Sequence, residues 1–240
     1  MSNELKQRKY IWSNGFRFVD SGQVARGLDY SNADLCALFG IPRSMTRYTM
    51  ENIVPQNEKQ LLAINRLWEM FNTEPRIRTM VITGGNGTGK SVIGCALIHT
   101  LGRLSGFPCN TYDWRPYYVN EAELLANLSG YNSGGFFTKL TRDTGVLVID
   151  EFALTQWTPA DKRKVEQVVN ILHSNGGKII LLTNRRPVEL YGQTGGAEPI
   201  LSSQLRSRFL QGYNVELTGG DLRQGNSLGF EDDDDKDMPF

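Results

Sequence analysis

The chain has little of what would tie a protein to a membrane, a secretory route or a metal-stapled scaffold. No apolar run in its 240 residues approaches the ~18 needed to cross a bilayer. Its polar start, MSNELKQRKY, lacks the apolar stretch of a secretory signal. Cysteine is scarce: Cys36, Cys95 and Cys109 are scattered, odd in number and free of any C-x-x-C pair. That argues against a disulfide framework and a structural zinc site, and for a reducing, cytoplasmic setting. Internal repeats are absent. An excess of either charge is absent too, since 26 basic residues balance 26 acidic ones. The balance is uneven, however. The last ten residues, EDDDDKDMPF, hold six acids and one base, leaving 25 basic against 20 acidic residues in the rest. A mildly basic body is compatible with nucleic acid without requiring it. The DDDDK string matches a familiar engineered protease site, so residues 226–240 are read as a flexible acidic tail, native or engineered, outside the fold.

What is present is concentrated at residues 84–91, GGNGTGKS, a complete G-x-x-x-x-G-K-[ST] phosphate-binding loop. Gly84, Gly85, Gly87 and Gly89, with Asn86 and Thr88 between them, let backbone N–H groups turn inward around a phosphate. Lys90 is placed to reach the β- and γ-phosphates of ATP, and the Ser91 hydroxyl to hold Mg²⁺. The flanks fit: Ile77–Thr83 reads as a buried strand, and Ser91–Leu104 as a helix with Val92, Ile93, Ala96, Leu97 and Leu101 inward.

Around this motif the pattern alternates. A short helix is predicted at Ala33–Phe39, and a longer one at Asn57–Phe71 through Leu61, Ile64, Leu67, Trp68 and Phe71. Pro108–Tyr112 is predicted as a second strand and Glu121–Ser129 as a helix opened by Asn120 and Glu123. Gly145–Ile149 is an almost purely apolar third strand. Thr158-Pro159-Ala160-Asp161 opens another helix, ending at Asn175-Gly176-Gly177. Lys178–Thr183 and Tyr213–Leu217 complete five strands. Alternating strands and helices predict an α/β fold with a parallel sheet in three layers.

Asp150 and Glu151 follow the third strand, 60 residues after Lys90. A carboxylate there can hold the water shell of Mg²⁺ beside Ser91, a role that falls to Asp150. Glu151 can polarise the water attacking the γ-phosphate. Asn184, after the fourth strand, is placed to sense the γ-phosphate or that water; a plain strand-ending turn before Pro187 is the alternative. Arg206 and Arg208 precede the last strand. Either a guanidinium aimed at a neighbouring copy's γ-phosphate or an ordinary basic surface turn fits their spacing. Trp114-Arg115-Pro116-Tyr117-Tyr118 offers stacking faces and a charge to single-stranded DNA, or else packs under the helix at 121–129. Lys139 and Arg142 are further candidates for phosphate contact, or members of a solvated charged face.

Together these residues resemble AAA+ ATPases, in particular the DnaC/DnaI-type helicase loaders and the IstB transposition helpers. The likeness runs over roughly residues 40–225. It rests on Gly40-Ile-Pro-Arg with Tyr48-Thr-Met-Glu-Asn-Ile, on GGNGTGKS, VLVIDEF and ILLTNRRPVEL in order, and on LSSQLRSRF followed by Gly219-Gly-Asp-Leu-Arg223. The resemblance implies a P-loop NTPase of the AAA+/ASCE type over residues 51–225, without a C-terminal helical lid. It implies Arg208 as the arginine finger and Arg223 as a second nucleotide sensor. Ser203-Gln204 stands where the family often has Asp-Arg, and Glu151 where many loaders have a second Asp. The activity implied is ATP hydrolysis at subunit boundaries by a self-associating loader that contacts single-stranded DNA and a replicative ring helicase. Residues 1–50 would engage that helicase through Trp12, Phe16, Phe18 and Tyr30, or form a flap packed on the core. Rival readings are an IstB-like transposition helper, a small-molecule kinase on the same loop, and a nucleotide-gated adaptor with little turnover.

Overall fold

A computed structural model describes residues 36–104, 115–192 and 198–219. Five strands form one sheet in the order β2-β3-β4-β1-β5, every neighbouring pair parallel. They are β1 (Thr79–Gly84), β2 (Arg115–Asn120), β3 (Thr144–Asp150), β4 (Lys178–Thr183) and β5 (Tyr213–Leu217). The three central strands are buried on both faces, as their unbroken apolar runs require. Alternate residues serve opposite faces. Met80, Ile82, Val146, Val148, Ile180 and Leu182 join one core, and Val81, Leu147, Ile149, Ile179 and Leu181 the other. On the first face lie α1 (Glu58–Asn72) and α2 (Lys90–Leu104); on the second lie α3 (Glu121–Ser129), α5 (Pro159–Ser174) and α7 (Ser203–Leu210). The expected three-layer α/β architecture is the one observed.

Helix starts follow the predicted chemistry. The Thr158 side chain accepts from Asp161 N at 3.2 Å while Asp161 Oδ2 accepts from Thr158 N at 3.1 Å, a reciprocal cap with Pro159 in the first turn. Asn57 and Asn120 cap α1 and α3 through Gln60 N (2.9 Å) and Glu123 N (2.8 Å). Four short elements lay below sequence detection: α4 (Ser133–Thr138), the π-helical turn at Lys139–Asp143 that it runs into, α6 (Pro187–Tyr191), and a 3₁₀ turn at Arg43–Met45.

The strand predicted at Pro108–Tyr112 lies outside the described residues; the strand paired with β3 is Arg115–Asn120. Pro116 within it is tolerated because β2 is the sheet's border strand, with a register shift at Arg115/Pro116. Of the segment before residue 51, the part described from Cys36 packs on the core. Phe39, Ile41, Tyr48, Met50 and Ile53 are buried against α2 and the sheet. Tyr118 N donates to Phe39 O at 2.8 Å, and Gly40 turns there with φ +77°; a Cβ at that position would sit 2.1 Å from Tyr118 O. Trp12, Phe16, Phe18 and Tyr30, the tail, and the residues where a helical lid would follow all fall outside the described residues.

Candidate nucleotide-binding site

Three strand tips meet at one edge of the sheet: β1 leads into the 84–91 loop, β3 ends on Asp150 and Glu151, and β4, lying between them, ends at Asn184. The loop takes left-handed backbone at Gly87 (φ 72°) and Gly89 (φ 90°), where side chains are rarely accommodated. Lys90 is 7% exposed, and its Nζ donates to the carbonyls of Gly84 (2.8 Å) and Gly85 (2.6 Å). The ammonium thus lies in the loop's own concavity, where a phosphate would offer it stronger, charge-assisted acceptors. Thr88 Oγ1 donates to Gly85 O at 2.9 Å. Asn184 Nδ2 donates to Asn86 Oδ1 at 2.7 Å, joining the tip of β4 to the phosphate loop.

Asp150 is 5% exposed and held from both sides. One carboxylate oxygen accepts from Glu151 N at 2.8 Å, and the other accepts from the Tyr118 hydroxyl on β2. Burial, chiefly, with the charge of Asp150, holds the Tyr118 phenol well above its usual range, so it stays a donor. Cys95, one helical turn after Ser91 on the same face of α2, lies against Tyr118. Ser91 therefore starts the helix face that looks toward Asp150. A carboxylate with a spare lone pair on each oxygen and an aliphatic hydroxyl are hard oxygen donors that suit Mg²⁺ when a nucleotide supplies further oxygens. Among the described residues there is no cluster of three or more acidic, His or Cys side chains able to hold a metal unaided.

Glu151 is exposed and adopts φ 55°, and Ala153 φ 60°. Left-handed backbone at a non-glycine residue costs on the order of 1–3 kcal/mol and persists only where the surroundings enforce it. The loop after β3 is indeed tied down. Phe152 N donates to Leu182 O (2.9 Å), and Arg185 Nε to Ala153 O (2.8 Å). The buried Glu121 carboxylate accepts from Leu154 N (2.9 Å), Thr155 N (3.1 Å) and the Trp157 indole N–H. Burial pushes the Glu121 carboxyl up while the backbone N–H groups of Thr155 and Leu154 pull it back.

Sequence reasoning missed a slot beside the loop. Ile53, Val54, Pro55, Gln60, Ile64, Gly89, Val92 and Ile93 line an apolar crevice with room for little more than a water-sized group. Gln60, 3% exposed, donates through Nε2 to Thr88 O at 3.0 Å and accepts from Gln56 N at 2.7 Å, so slot and loop share a side chain. The only sequence signal was an apolar Ile-Val-Pro step just ahead of a capped helix.

The two arginines lie apart from their own chain's loop. The Arg208 carbonyl accepts from Thr79 Oγ1 at 2.9 Å, at the opposite end of β1 from Gly84; Arg208 Nη1 donates to Asn170 O of α5 at 3.1 Å. Arg206 Nη1 donates to Tyr191 O at 3.0 Å, and its Nε is buried without a hydrogen-bond partner. Arg223 lies outside the described residues. The stacking alternative for Tyr117 and Tyr118 does not hold, because both are buried (7% and 5% exposed) in β2. Lys139, offered as a phosphate contact, lies instead over the Tyr117 ring at 4.0 Å, and burial lowers its pKa. Arg142 is exposed, and Trp114 lies outside the described residues.

No protein-family model matches the chain. It is 31% identical over 147 residues to the chromosomal replication initiator DnaA of Cutibacterium acnes, which is 60% of this chain and 26% of that protein. It is 23% identical over 145 residues to an insertion-sequence ATP-binding protein of Mycobacterium tuberculosis, 59% of this chain and 54% of the relative. The chain thus spans about a quarter of the one and half of the other. Among solved structures, DnaI superposes with a TM-score of 0.59 at 14% identity, over 75% of this chain and 93% of that one. The DnaC helicase loader does so at 0.56 and 17%, over 74% and 100%. AMPPCP-bound DnaA from Aquifex aeolicus does so at 0.56 and 22%, over 71% and 50%. The chain has the AAA+ P-loop fold and is similar in structure to the DnaC/DnaI helicase loaders and in sequence to DnaA initiators and insertion-sequence ATP-binding proteins.

Proposed function

We propose that this chain is an ATP-hydrolysing helicase loader, which assembles through its ATP sites and is released by hydrolysis. The observation that carries hydrolysis is the meeting of the 84–91 loop, Asp150, Glu151 and Asn184 on adjacent strand tips, with Asn184 already bonded to the loop through Asn86. In this reading the backbone N–H groups of residues 85–90 cradle the β-phosphate, and Lys90 exchanges its carbonyl partners for phosphate oxygens. Ser91 and Asp150 would hold Mg²⁺, which would supply positive charge to offset that of the triphosphate. Glu151 accepts the proton of a water attacking the γ-phosphorus as the bond to ADP breaks, and Asn184 orients that water. The base is assigned to the side of the loop where the apolar crevice by Gly89 lies, which must widen to receive it.

Arg208 is assigned to a neighbouring copy's γ-phosphate. Its distance from its own loop supports action across a boundary; Asn170 O is the acceptor it would give up. The loader role is supported by the likeness to DnaC along the whole of that chain and to nearly all of DnaI. Single-stranded DNA remains the proposed polymer, with Tyr131, fully exposed between α3 and α4, in place of Tyr117 and Tyr118 as a stacking face. The insertion-sequence relatives favour a second reading, an IstB-like transposition helper.

Size-exclusion chromatography with a cognate ring helicase, with ATP, with ADP and without nucleotide, tests the proposal. Co-elution that depends on ATP and is lost in Arg208→Ala is expected. Nucleotide-independent behaviour of both proteins removes the loader mechanism, and ATP-dependent binding to a transposase in place of the helicase selects the second reading.

A further inference from the structure

We infer that Glu121 is a positioning residue for Glu151, acting through the loop that joins β3 to α5; the inference rests on the proposed ATP hydrolysis. The starting point is chemical. Glu121 opens α3 directly after β2, is 1% exposed, and hydrogen-bonds to none of the nucleotide-site residues. A carboxylate so placed must be matched by donors, because an unpaired buried charge is strongly unfavourable. Its donors all come from one short stretch, among them the N–H groups of Leu154 and Thr155 and the indole of Trp157.

That stretch is the continuation of the Glu151 turn. Leu154 N also lies 3.0 Å from Glu151 O, so the amide held by Glu121 closes the turn on which Glu151 sits. The turn carries two left-handed non-glycine residues, Glu151 and Ala153, a conformation that needs external enforcement. Arg185 supplies the opposite restraint: its guanidinium donates to Ala153 O at 2.8 Å and Leu154 O at 3.4 Å. Acceptors from β2's side and donors from β4's side thus grip the same two peptide units. The Trp157 ring, edge-on to buried Phe152 at 5.0 Å, completes the seat. A loop gripped on both faces presents the Glu151 carboxylate in one pose. A loop released on one face relaxes toward ordinary backbone and moves that carboxylate off the attacking water, where misplacement by about 1 Å is worth up to a hundredfold in rate.

The test is Glu121→Gln, which keeps the shape, removes the buried charge and turns one acceptor into a donor facing N–H groups. Expected is a kcat for ATP hydrolysis lowered about 10- to 100-fold with KM and ATP affinity within twofold of wild type, since no bond of the 84–91 loop is touched. The intrinsic fluorescence of Trp157, isolated by difference against Trp157→Phe, should shift as its carboxylate partner is lost. Trp157→Phe removes one of those donors, serves as the milder variant should Glu121→Gln fail to fold, and should lower kcat by a smaller factor at unchanged KM. Unchanged kcat in a folded Glu121→Gln, or in Trp157→Phe where the first variant does not fold, overturns the inference. So does a loss confined to ATP affinity. Wild-type protein that binds ATP without hydrolysing it sinks the hydrolysis reading itself, and the inference with it; a hydrolysing wild type with an equally active variant sinks the inference alone.

Discussion

Asn184, at the tip of β4, donates its side-chain amide to Asn86 of the phosphate loop across 2.7 Å. The bond ties the strand between β1 and β3 to the segment that would close on a γ-phosphate. An amide so placed can exchange Asn86 for phosphate or water without moving its backbone. Asn184→Ala should therefore leave ATP affinity within a few-fold and lower kcat by about 100- to 1,000-fold, the range seen when one donor to a developing charge is removed. Single-turnover hydrolysis beside equilibrium binding of a fluorescent ATP analogue checks this. An affinity loss as large as the rate loss would assign Asn184 to ground-state binding.

The Tyr118 hydroxyl, donated to Asp150 from the neighbouring strand, fixes the rotamer of the carboxylate assigned to Mg²⁺. Tyr118→Phe keeps the buried ring and removes the hydroxyl that meets Asp150 and Cys95. The Mg²⁺ concentration for half-maximal hydrolysis should rise several-fold, and stability should fall by about 1–3 kcal/mol for a buried acceptor left short. A Mg²⁺ titration of activity with a urea unfolding curve measures both. A fall in stability without a shift in the Mg²⁺ midpoint would leave Tyr118 a packing residue only.

How much of this was legible beforehand divides along physical lines. The 84–91 loop, the apolar strand before Asp150 and the capped helix at Thr158 could be read because their signals are local: glycines for a turn, unbroken apolar residues for a doubly covered strand, a hydroxyl and an acid three apart. Asn184's place at a strand tip could be read from strand alternation, whereas the order that sets β4 between β1 and β3 is decided only by pairing. The grip of Glu121 and Arg185 on the loop after Asp150 could not, since its partners lie 31 to 36 residues away in sequence. Tyr117 and Tyr118 misled one reading because an aromatic pair next to Arg and Pro looks alike on a surface and in a border strand; only pairing with β3 decides. The slot beside Gly89 is assembled from residues 53 to 93, too dispersed for any spacing rule.

Gly40 should accept no side chain. Its φ of +77° is strained for any L-residue, and a Cβ would lie 2.1 Å from the Tyr118 carbonyl, a backbone atom that cannot rotate away. Gly40→Ala should cost about 2–4 kcal/mol from the conformational and overlap terms together. Differential scanning calorimetry measures the loss. A melting temperature within a degree of wild type would mean that the segment at 36–41 does not dock along β2.

Lys178 yields a pH dependence of definite sign. It is 4% exposed at the start of β4, with its ammonium donating to Ile77 O at 2.8 Å and Pro75 O at 3.2 Å. Burial first, and the Arg78 charge second, push its pKa down to about 8 from 10.5. The unfolded chain therefore holds this proton more tightly than the folded one, and folding stability rises with pH between about 8 and 10.5. From pH 8 to 9.5 the gain is on the order of 1–2 kcal/mol. The raised tyrosine pKa values work the other way above pH 10, but they are common to wild type and variant and cancel in the difference. Urea denaturation of wild type and Lys178→Met at both pH values should show this extra stabilisation in wild type alone. Parallel pH profiles for the two proteins would mean that the Lys178 ammonium reaches water at the foot of the sheet.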